Sequence, residues 1–227
     1  MRGISLSGMR VLITQSGEFM GPALCDTFRE FGADVIADTS LLTEQGAPER
    51  LIAAAGRIDA LVLNLAIPAP STPADLVCED EWQRVFRALV TPMQGLVKTV
   101  LPQMIERKSG KILLMGSASA LKGMPNRSSY AAARGAQLAY IQAVGVEVAA
   151  NGIQVNAIAQ NFVENPTYFP PEVQVLPEFK ERVRWQVPLG RLVTPFEDAA
   201  FAAYLCSNAA DCFVGQVFPM CGGWVTR

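Results

Sequence analysis

Histidine is absent from this chain of 227 residues. A Ser-His-Asp or Cys-His catalytic arrangement is therefore excluded, and so is a zinc site with a histidine ligand. We predict no bound metal. If the protein is an enzyme, its proton transfer must use Tyr, Lys, Cys, Asp or Glu.

Several other features are scarce. The net charge is −2 and the isoelectric point is about 5.3, so we expect no nucleic-acid partner. The five cysteines include no C-x-x-C pair, which is typical of free thiols in a reducing cytoplasm. No apolar run approaches the roughly 20 residues of a membrane span, and residues 1–10 lack the apolar core of a signal peptide. We expect a cytoplasmic protein that does not bind membranes.

The alternation of apolar segments with helical patterns predicts the fold. Half of the residues are hydrophobic and 18% are charged, and the length suits one domain over residues 1–227. Strands are predicted at 10–14, 34–37, 58–64, 111–116, 153–159 and 216–220, and helices at 21–31, 47–55, 79–107, 128–150 and 195–207. Apolar strands that alternate with helices favour a parallel sheet covered on both faces. The predicted fold class is α/β, a single Rossmann-like doubly wound parallel sheet.

The helix predicted at 128–150 is rich in alanine and glycine and is apolar on more than one face. This pattern favours a helix that packs against its own sheet and against another subunit. A tightly packed monomer core would give a similar pattern. From the helix alone we expect an oligomer of unspecified size.

The segment 161–187 follows the predicted strand 153–159 and carries four prolines and five aromatic residues. Ligands of open α/β sheets bind beyond the carboxyl ends of the strands, where this segment begins. We interpret it as a loop that covers the substrate. The alternative is a structural loop with a short helix.

Three residues form the candidate catalytic group. Ser117 follows an apolar strand, and Tyr130 and Arg134 are four positions apart on a predicted helix. Residues at i and i+4 share a helix face, so both side chains can point into one cleft. Ser117 opens toward the same cleft from the end of its strand.

Each member of this group has a chemical task. A free tyrosine has a pKa near ~10, which is too high for an efficient base at neutral pH. The guanidinium of Arg134 favours the phenolate of Tyr130 and lowers its pKa. Arg134 stays charged and cannot carry the proton itself. Ser117 can hold a substrate hydroxyl for Tyr130.

The pattern Ser-x12-Tyr-x3-basic resembles the active site of short-chain dehydrogenases/reductases. The resemblance covers nearly the whole chain and includes Asn64 at a strand end, LPQM at 101–104, PLGR at 188–191 and two glycines at 222–223. That family has a lysine at the position of Arg134, and the lysine binds the nicotinamide ribose. The family also uses a parallel Rossmann-like sheet, as predicted above.

The first turn departs further from that family. Its pattern there is T-G-x-x-x-G-x-G, whose glycines let the backbone approach the pyrophosphate closely. In this chain Gln15 and Phe19 replace two of the glycines, and Gly21 remains. A phenylalanine ring should obstruct a dinucleotide, and Glu18 adds a charge of the wrong sign. We predict no nucleotide cofactor.

Thr14, Phe19 and Gly21, taken with Ser117, Tyr130 and Arg134, resemble the combined pattern of halohydrin dehalogenases. The resemblance implies a lyase that converts vicinal haloalcohols to epoxides without a cofactor, and that opens epoxides with small anions in reverse. It also implies a homotetramer. The implied partners are a haloalcohol or epoxide and a halide or other small anion. The implied halide-binding residues are Phe19, Gln160, Asn161, Phe162 and Phe169.

Two alternatives stay open. The first is an NAD(P)-dependent short-chain dehydrogenase/reductase with a degenerate cofactor loop, which would bind NADH or NADPH. The second is a pseudo-enzyme that uses the scaffold for regulation or assembly. The presence of Ser117, Tyr130 and Arg134 disfavours the second, because a pseudo-enzyme does not need an intact catalytic group.

Overall fold

The computed structural model describes residues 4–226, which form one six-stranded sheet with helices on both faces. All strand pairs are parallel, and the strand order is β2-β1-β3-β4-β5-β6. The strands are β1 (Arg10–Ile13), β2 (Asp34–Ala37), β3 (Ala60–Leu63), β4 (Gly110–Ser117), β5 (Ile153–Gln160) and β6 (Val217–Met220). The predicted fold class is confirmed.

The predicted helices are also present, with small differences at their ends. They are α1 (Gly21–Glu30), α2 (Ala47–Ala55), α3 (Glu79–Arg107), α4 (Ser128–Val148) and α7 (Pro195–Cys206). Acidic residues occupy the first turn of α3, where negative charge interacts favourably with the helix dipole. Thr194 and Glu197 form a capping box that starts α7.

The sheet has an apolar layer on each face because successive side chains of a strand point to opposite faces. Leu12 belongs to the layer beneath α2, α3 and α4, whereas its neighbours Val11 and Ile13 belong to the layer beneath α1 and α7. Both faces of the central strands are therefore buried, and their sequences are almost continuously apolar.

The segment 161–187 is more ordered than a simple loop. It contains the short helix α5 (Pro171–Gln174) and the helix α6 (Pro177–Gln186). A parallel bridge joins Val163 to Val193 and attaches the start of the segment to the protein. Phe179 and Val183 of α6 are buried in the core, so this helix is held against the carboxyl edge of the sheet.

Close packing within one chain accounts for part of the small-residue pattern in α4. A Cβ atom added at Gly145 would lie 2.7 Å from the backbone of Gly215, so only glycine fits there. Val146, the next residue, is exposed. The monomer explanation therefore applies at Gly145, and the oligomer stays a prediction. Across residues 4–226, every helix is too short or too polar to cross a membrane.

Candidate active site

The carboxyl edge of the sheet holds a cavity of about 250 Å³, here called the inner cavity. Ser117 enters it from the last position of β4, and Tyr130 and Arg134 enter it from successive turns of α4. The structure thus brings the three predicted catalytic residues together. They lie close together because β4 ends at the carboxyl edge of the parallel sheet, beside the first turns of α4.

Arg134 is held rigidly beside Tyr130. Its Nε donates a hydrogen bond to the Tyr130 hydroxyl at 3.0 Å, and its Nη1 donates to the carbonyl of Leu65 at 2.9 Å. Nη1 also donates to Oε1 of Gln137 at 2.9 Å, and Gln137 in turn donates to the carbonyl of Leu89 at 2.7 Å. Arg134 is 3% exposed, and none of the ion pairs in residues 4–226 includes it. Its charge therefore acts on Tyr130 without a competing carboxylate.

The pKa of Tyr130 is lowered from its ordinary value by this environment. Burial alone raises the pKa, but the positive charge of Arg134 and hydrogen bonds from Tyr168, Arg134 and Ser117 together outweigh burial. Tyr130 consequently ionises to its phenolate more readily than a free tyrosine does. This is the property required of a tyrosine that acts as a base.

Tyr168 is a neighbour of Tyr130 to which the sequence assigned no role. Its hydroxyl lies 3.3 Å from that of Tyr130 and donates a hydrogen bond to the carbonyl of Ile67. The side chain of Asn165 accepts hydrogen bonds from the backbone N–H groups of Thr167 and Tyr168, which shapes the turn that carries the tyrosine. Burial and the nearby Tyr130 raise the pKa of Tyr168, so Tyr168 keeps its proton.

A second serine lies next to Ser117. The hydroxyls of Ser117 and Ser119 are 2.8 Å apart, and both residues line the inner cavity. Ser119 could have been suspected from its position two residues after Ser117, but the sequence pattern pointed to Ser117 alone. The pair gives the cavity two adjacent hydroxyls that can hold a substrate oxygen.

The first turn keeps the backbone path of a glycine-rich turn but carries larger side chains. Gln15 has φ 48° and Phe19 has φ 50°, both in the left-handed region that glycine favours. The side-chain amide of Gln15 donates to the carbonyl of Ala66 at 2.9 Å and accepts from its N–H at 2.8 Å. Asn64 donates to the carbonyl of Gln15 at 2.9 Å. The turn is therefore bound to the loop that follows β3.

Phe19 lies at the border between the inner cavity and a second space of about 780 Å³, here called the outer cleft. Its ring packs on Tyr168 with 5.5 Å between the ring centroids. Phe19 lines both spaces. The outer cleft is also lined by prolines and by two carboxylate side chains, Glu18 and Glu164.

The five predicted halide-binding residues line the inner cavity together with the catalytic residues. Their side chains differ in what they can offer an anion. Nε2 of Gln160 donates to the carboxylate of Asp198 at 2.5 Å, and Oδ1 of Asn161 accepts from the N–H of Phe162 at 2.9 Å. The backbone N–H of Phe162 is therefore occupied. Of these polar groups, the amide nitrogen of Asn161 has no partner within residues 4–226.

Phe162 has an unusual backbone and a dense aromatic environment. Its φ is 52°, and its ring stacks with that of Phe169 at 5.8 Å and meets the edge of Trp224 at 6.1 Å. The guanidinium of Arg182 lies 5.6 Å from the centroid of the Phe162 ring. The structure thus surrounds this end of the cavity with apolar rings and one cation.

A sequence-family model described as enoyl-(acyl carrier protein) reductase matches residues 7–225. The chain belongs to the short-chain dehydrogenase/reductase superfamily. As a member of this superfamily it shares 32% identity over 246 residues with a 2-keto-3-deoxy-L-fuconate dehydrogenase from Xanthomonas campestris pv. campestris, an alignment that covers 96% of this chain and 81% of the relative.

Two similar solved structures are of proteins described as dehalogenases and not as dehydrogenases. A structure described as a dehalogenation enzyme has a TM-score of 0.88 and 30% identity, with 97% of this chain and 99% of the other covered. A halohydrin dehalogenase bound to ethyl (2S)-oxiran-2-ylacetate has a TM-score of 0.85 and 27% identity, with 96% and 98% covered. This protein is therefore similar both to an oxidoreductase and to dehalogenases.

The dinucleotide that this superfamily implies does not fit the residues of the first turn. A Rossmann dinucleotide needs its pyrophosphate close to the backbone of that turn. Here Phe19 occupies the turn and lines both the inner cavity and the outer cleft, and the amide of Gln15 is bound to Ala66. Glu18 adds a negative charge beside the same turn, and its carboxylate accepts a hydrogen bond from Gln15 at 3.0 Å.

Proposed function

We propose that this protein is a halohydrin dehalogenase, which converts vicinal haloalcohols to epoxides with release of halide and a proton and needs no nucleotide. One observation carries the proposal. The Tyr130 hydroxyl, bound by Arg134, lines a small cavity whose border with the outer cleft carries the ring of Phe19. This arrangement supplies a base and an anion-sized space, and it places a phenylalanine side chain in the turn where a dinucleotide cofactor needs close contact with the backbone.

The reaction begins with the substrate hydroxyl bound between Ser117 and Tyr130. The phenolate of Tyr130 takes the hydroxyl proton, and the resulting alkoxide attacks the neighbouring carbon. The carbon–halogen bond breaks as the carbon–oxygen bond forms, and the halogen leaves with the bonding electron pair as halide. The proton on Tyr130 is then released to solvent, which restores the phenolate. Charge moves from the substrate oxygen to the halide, so the cavity must stabilise an anion at a second point.

The residues that would receive the halide are Phe19, Asn161, Phe162 and Phe169, with Gln160 at the base of the loop. Aromatic ring edges carry partial positive charge and exclude water, and the amide nitrogen of Asn161 can donate a hydrogen bond. In the reverse direction a small anion in this place opens the epoxide, and Tyr130 returns the proton. We further propose a cytoplasmic homotetramer, because the resemblance to halohydrin dehalogenases implies that assembly.

The test is halide release from a small vicinal bromoalcohol by purified protein with no nucleotide added. We expect rapid release that is lost in Tyr130→Phe, because this change removes the base and keeps the ring. Circular dichroism of the variant checks that the fold is retained. Substantial release by the variant would contradict the role of Tyr130.

The same protein sample tests the oxidoreductase alternative. That alternative predicts saturable binding of NADH or NADPH and no halide release, and its support is the similarity to a sugar-acid dehydrogenase. Binding is measured by nucleotide fluorescence titration. Saturable binding without halide release would overturn the proposed function.

A further inference from the structure

The inner cavity has an unusual balance of charge. Its lining includes three arginines, Arg127, Arg134 and Arg182, and among the described lining residues there is neither aspartate nor glutamate. The proposed mechanism uses Arg134 to lower the pKa of Tyr130. It gives no task to Arg127 or to Arg182. None of the ion pairs in residues 4–226 includes either of them.

Arg127 is aligned with the catalytic group along α4. It is the N-cap residue of the helix, three positions before Tyr130 and seven before Arg134. Residues at i, i+3 and i+7 lie on one helix face. At 1.5 Å of rise per residue, Arg127 lies about 4.5 Å along the axis from Tyr130.

The guanidinium of Arg127 is anchored by hydrogen bonds, but some of its N–H donors have no partner. Its Nη1 donates hydrogen bonds to the carbonyls of Ala69 and Pro70, which hold the side chain in place. An arginine has five N–H donors, and those on Nε and Nη2 have no partner within residues 4–226. A fixed, half-buried guanidinium with free donors can bind a planar oxyanion through two parallel hydrogen bonds.

Arg182 provides a second positive charge at the exposed side of the cavity. It projects from α6 and lies over the ring of Phe162, and its Nε donates a hydrogen bond to the side chain of Gln186 at 3.5 Å. Arg182 therefore raises the electrostatic potential of the cavity without the carbonyl anchors that Arg127 has. Both arginines carry one positive charge, but only Arg127 is held in place by backbone carbonyls. Arg182 can therefore serve as a control for Arg127.

We propose that the organic substrate carries a carboxylate, which Arg127 binds while the substrate hydroxyl lies at Tyr130. This inference rests on the dehalogenase function proposed above and names its substrate class. A carboxylate one or two carbons beyond the carbinol carbon suits the spacing of the two residues along α4, about 4.5 Å along the helix axis. The substrates are then halo-hydroxycarboxylates, and the products are the corresponding epoxycarboxylates. Because the described lining residues include neither aspartate nor glutamate, the cavity does not repel a negatively charged substrate.

The experiment compares γ-chloro-β-hydroxybutyrate with its primary amide, which has nearly the same shape and no charge. The measured quantity is the ratio of kcat/KM for the acid to kcat/KM for the amide. We expect the ratio to favour the acid in the unmodified protein and to fall about 10- to 100-fold in Arg127→Gln. Arg127→Lys should restore only part of the ratio, because lysine keeps the charge and lacks the two parallel donors. In Arg182→Gln, which removes the same charge, the ratio should fall much less.

Two outcomes would overturn the proposal. An amide that reacts as efficiently as the acid in the unmodified protein removes the evidence for a carboxylate site. An equal fall of the ratio in Arg127→Gln and Arg182→Gln shows a general attraction of anions, without binding at Arg127.

A binding measurement separates this proposal from the proposed function. β-Hydroxybutyrate and β-hydroxybutyramide have no halogen, so calorimetric titration with this pair reports carboxylate recognition without catalysis. We expect tighter binding of the acid, with the preference lost in Arg127→Gln. If neither chlorinated compound releases halide, the dehalogenase function fails, and this titration still decides whether Arg127 recognises a carboxylate.

Discussion

The hydroxyl groups of Tyr130 and Tyr168 lie 3.3 Å apart, and that of Tyr168 also donates to the carbonyl of Ile67. Tyr168 has one hydroxyl proton and two acceptors within reach. When Tyr130 is neutral, its own proton can point to Tyr168, and the Tyr168 proton points to Ile67. When Tyr130 is ionised, the Tyr168 hydroxyl can turn and donate to the phenolate. Tyr168 thus stabilises the ionised form of Tyr130, which is the proposed base.

Tyr168→Phe should slow dehalogenation and shift its dependence on pH. The variant keeps the ring that packs on Phe19 and removes the hydroxyl. Because hydrogen bonding from Tyr168 lowers the pKa of Tyr130, its loss raises that pKa. The active base is the phenolate, so kcat/KM rises with pH through this pKa, and the rising limb moves to higher pH. We expect a fall of about tenfold in kcat/KM at pH ~7, the usual cost of one hydrogen bond to a charged group.

Tyr204→Phe is the matched control for this change. It removes a tyrosine hydroxyl from α7, where the hydroxyl donates to the carbonyl of Ala209 at 3.4 Å. Its pH profile should coincide with that of the unmodified protein. A Tyr168→Phe profile that also coincides would show that Tyr168 has only a packing role.

Phe19→Gly should reduce dehalogenation at least tenfold. Glycine relieves the left-handed backbone at this position, which costs roughly 1–2 kcal/mol for other residues. The variant also loses the ring contact with Tyr168 and the apolar area that the half-buried ring covers, so its melting temperature is measured to confirm that it stays folded. Activity falls because the inner cavity then opens into the outer cleft and admits water. Halide release and the melting temperature are measured on the same preparation.

Phe19→Leu distinguishes the ring from its volume. Leucine keeps a side chain between the two spaces, so it should retain more activity than glycine, although it keeps the strained backbone. If Phe19→Gly retains full activity, Phe19 does not form a functional wall.

Asp198 should make the stability of the protein depend on pH between about 4 and about 7. Its carboxyl is fully buried in α7, its Oδ1 has no partner, and its Oδ2 accepts a hydrogen bond from Gln160. Burial raises the pKa of Asp198 to about 7 from 3.8, against the opposing effect of the Gln160 hydrogen bond. Between these values the folded protein holds a proton that the unfolded chain releases, so stability falls as the pH rises. Below this range both states are protonated, and above it both are ionised.

Asp198→Asn should remove this part of the pH dependence, because the amide does not titrate. The free energy of unfolding is measured by urea denaturation from pH ~4 to pH ~8, and the difference between the variant and the unmodified protein is plotted. We expect the difference to change by on the order of a few kcal/mol across the range. Asp75→Asn makes the same chemical change at an exposed residue and is the control. An Asp198→Asn difference that varies no more with pH than that of the control would show that burial does not hold a proton on Asp198.

Local sequence patterns were sufficient to predict the sheet, its helices and the central catalytic group. Apolar strands alternating with helices allow few arrangements, and the i, i+4 spacing of Tyr130 and Arg134 determines their shared face. The replacement of glycines by Gln15 and Phe19 indicated a first turn unsuited to a dinucleotide. In the structure, Phe19 lines both the inner cavity and the outer cleft, and the side-chain amide of Gln15 binds Ala66.

Other parts of the site depend on contacts between residues far apart in the chain. Tyr168 lies 101 positions from Ile67, and Gln160 lies 38 from Asp198. No local period relates such pairs, because the distance between them depends on how segment 161–187 and α7 pack against the sheet.

The sequence by itself determined the fold class and placed Tyr130 and Arg134 on one helix face, because these rest on short-range periodicity and on residue type. Only the tertiary structure decided that Tyr168 contacts Tyr130 and that Arg127 and Arg182 line the same cavity free of carboxylates. The physical reason is that charge balance and hydrogen-bond partners in a cavity are sums over several chain segments, which only the packed structure brings together.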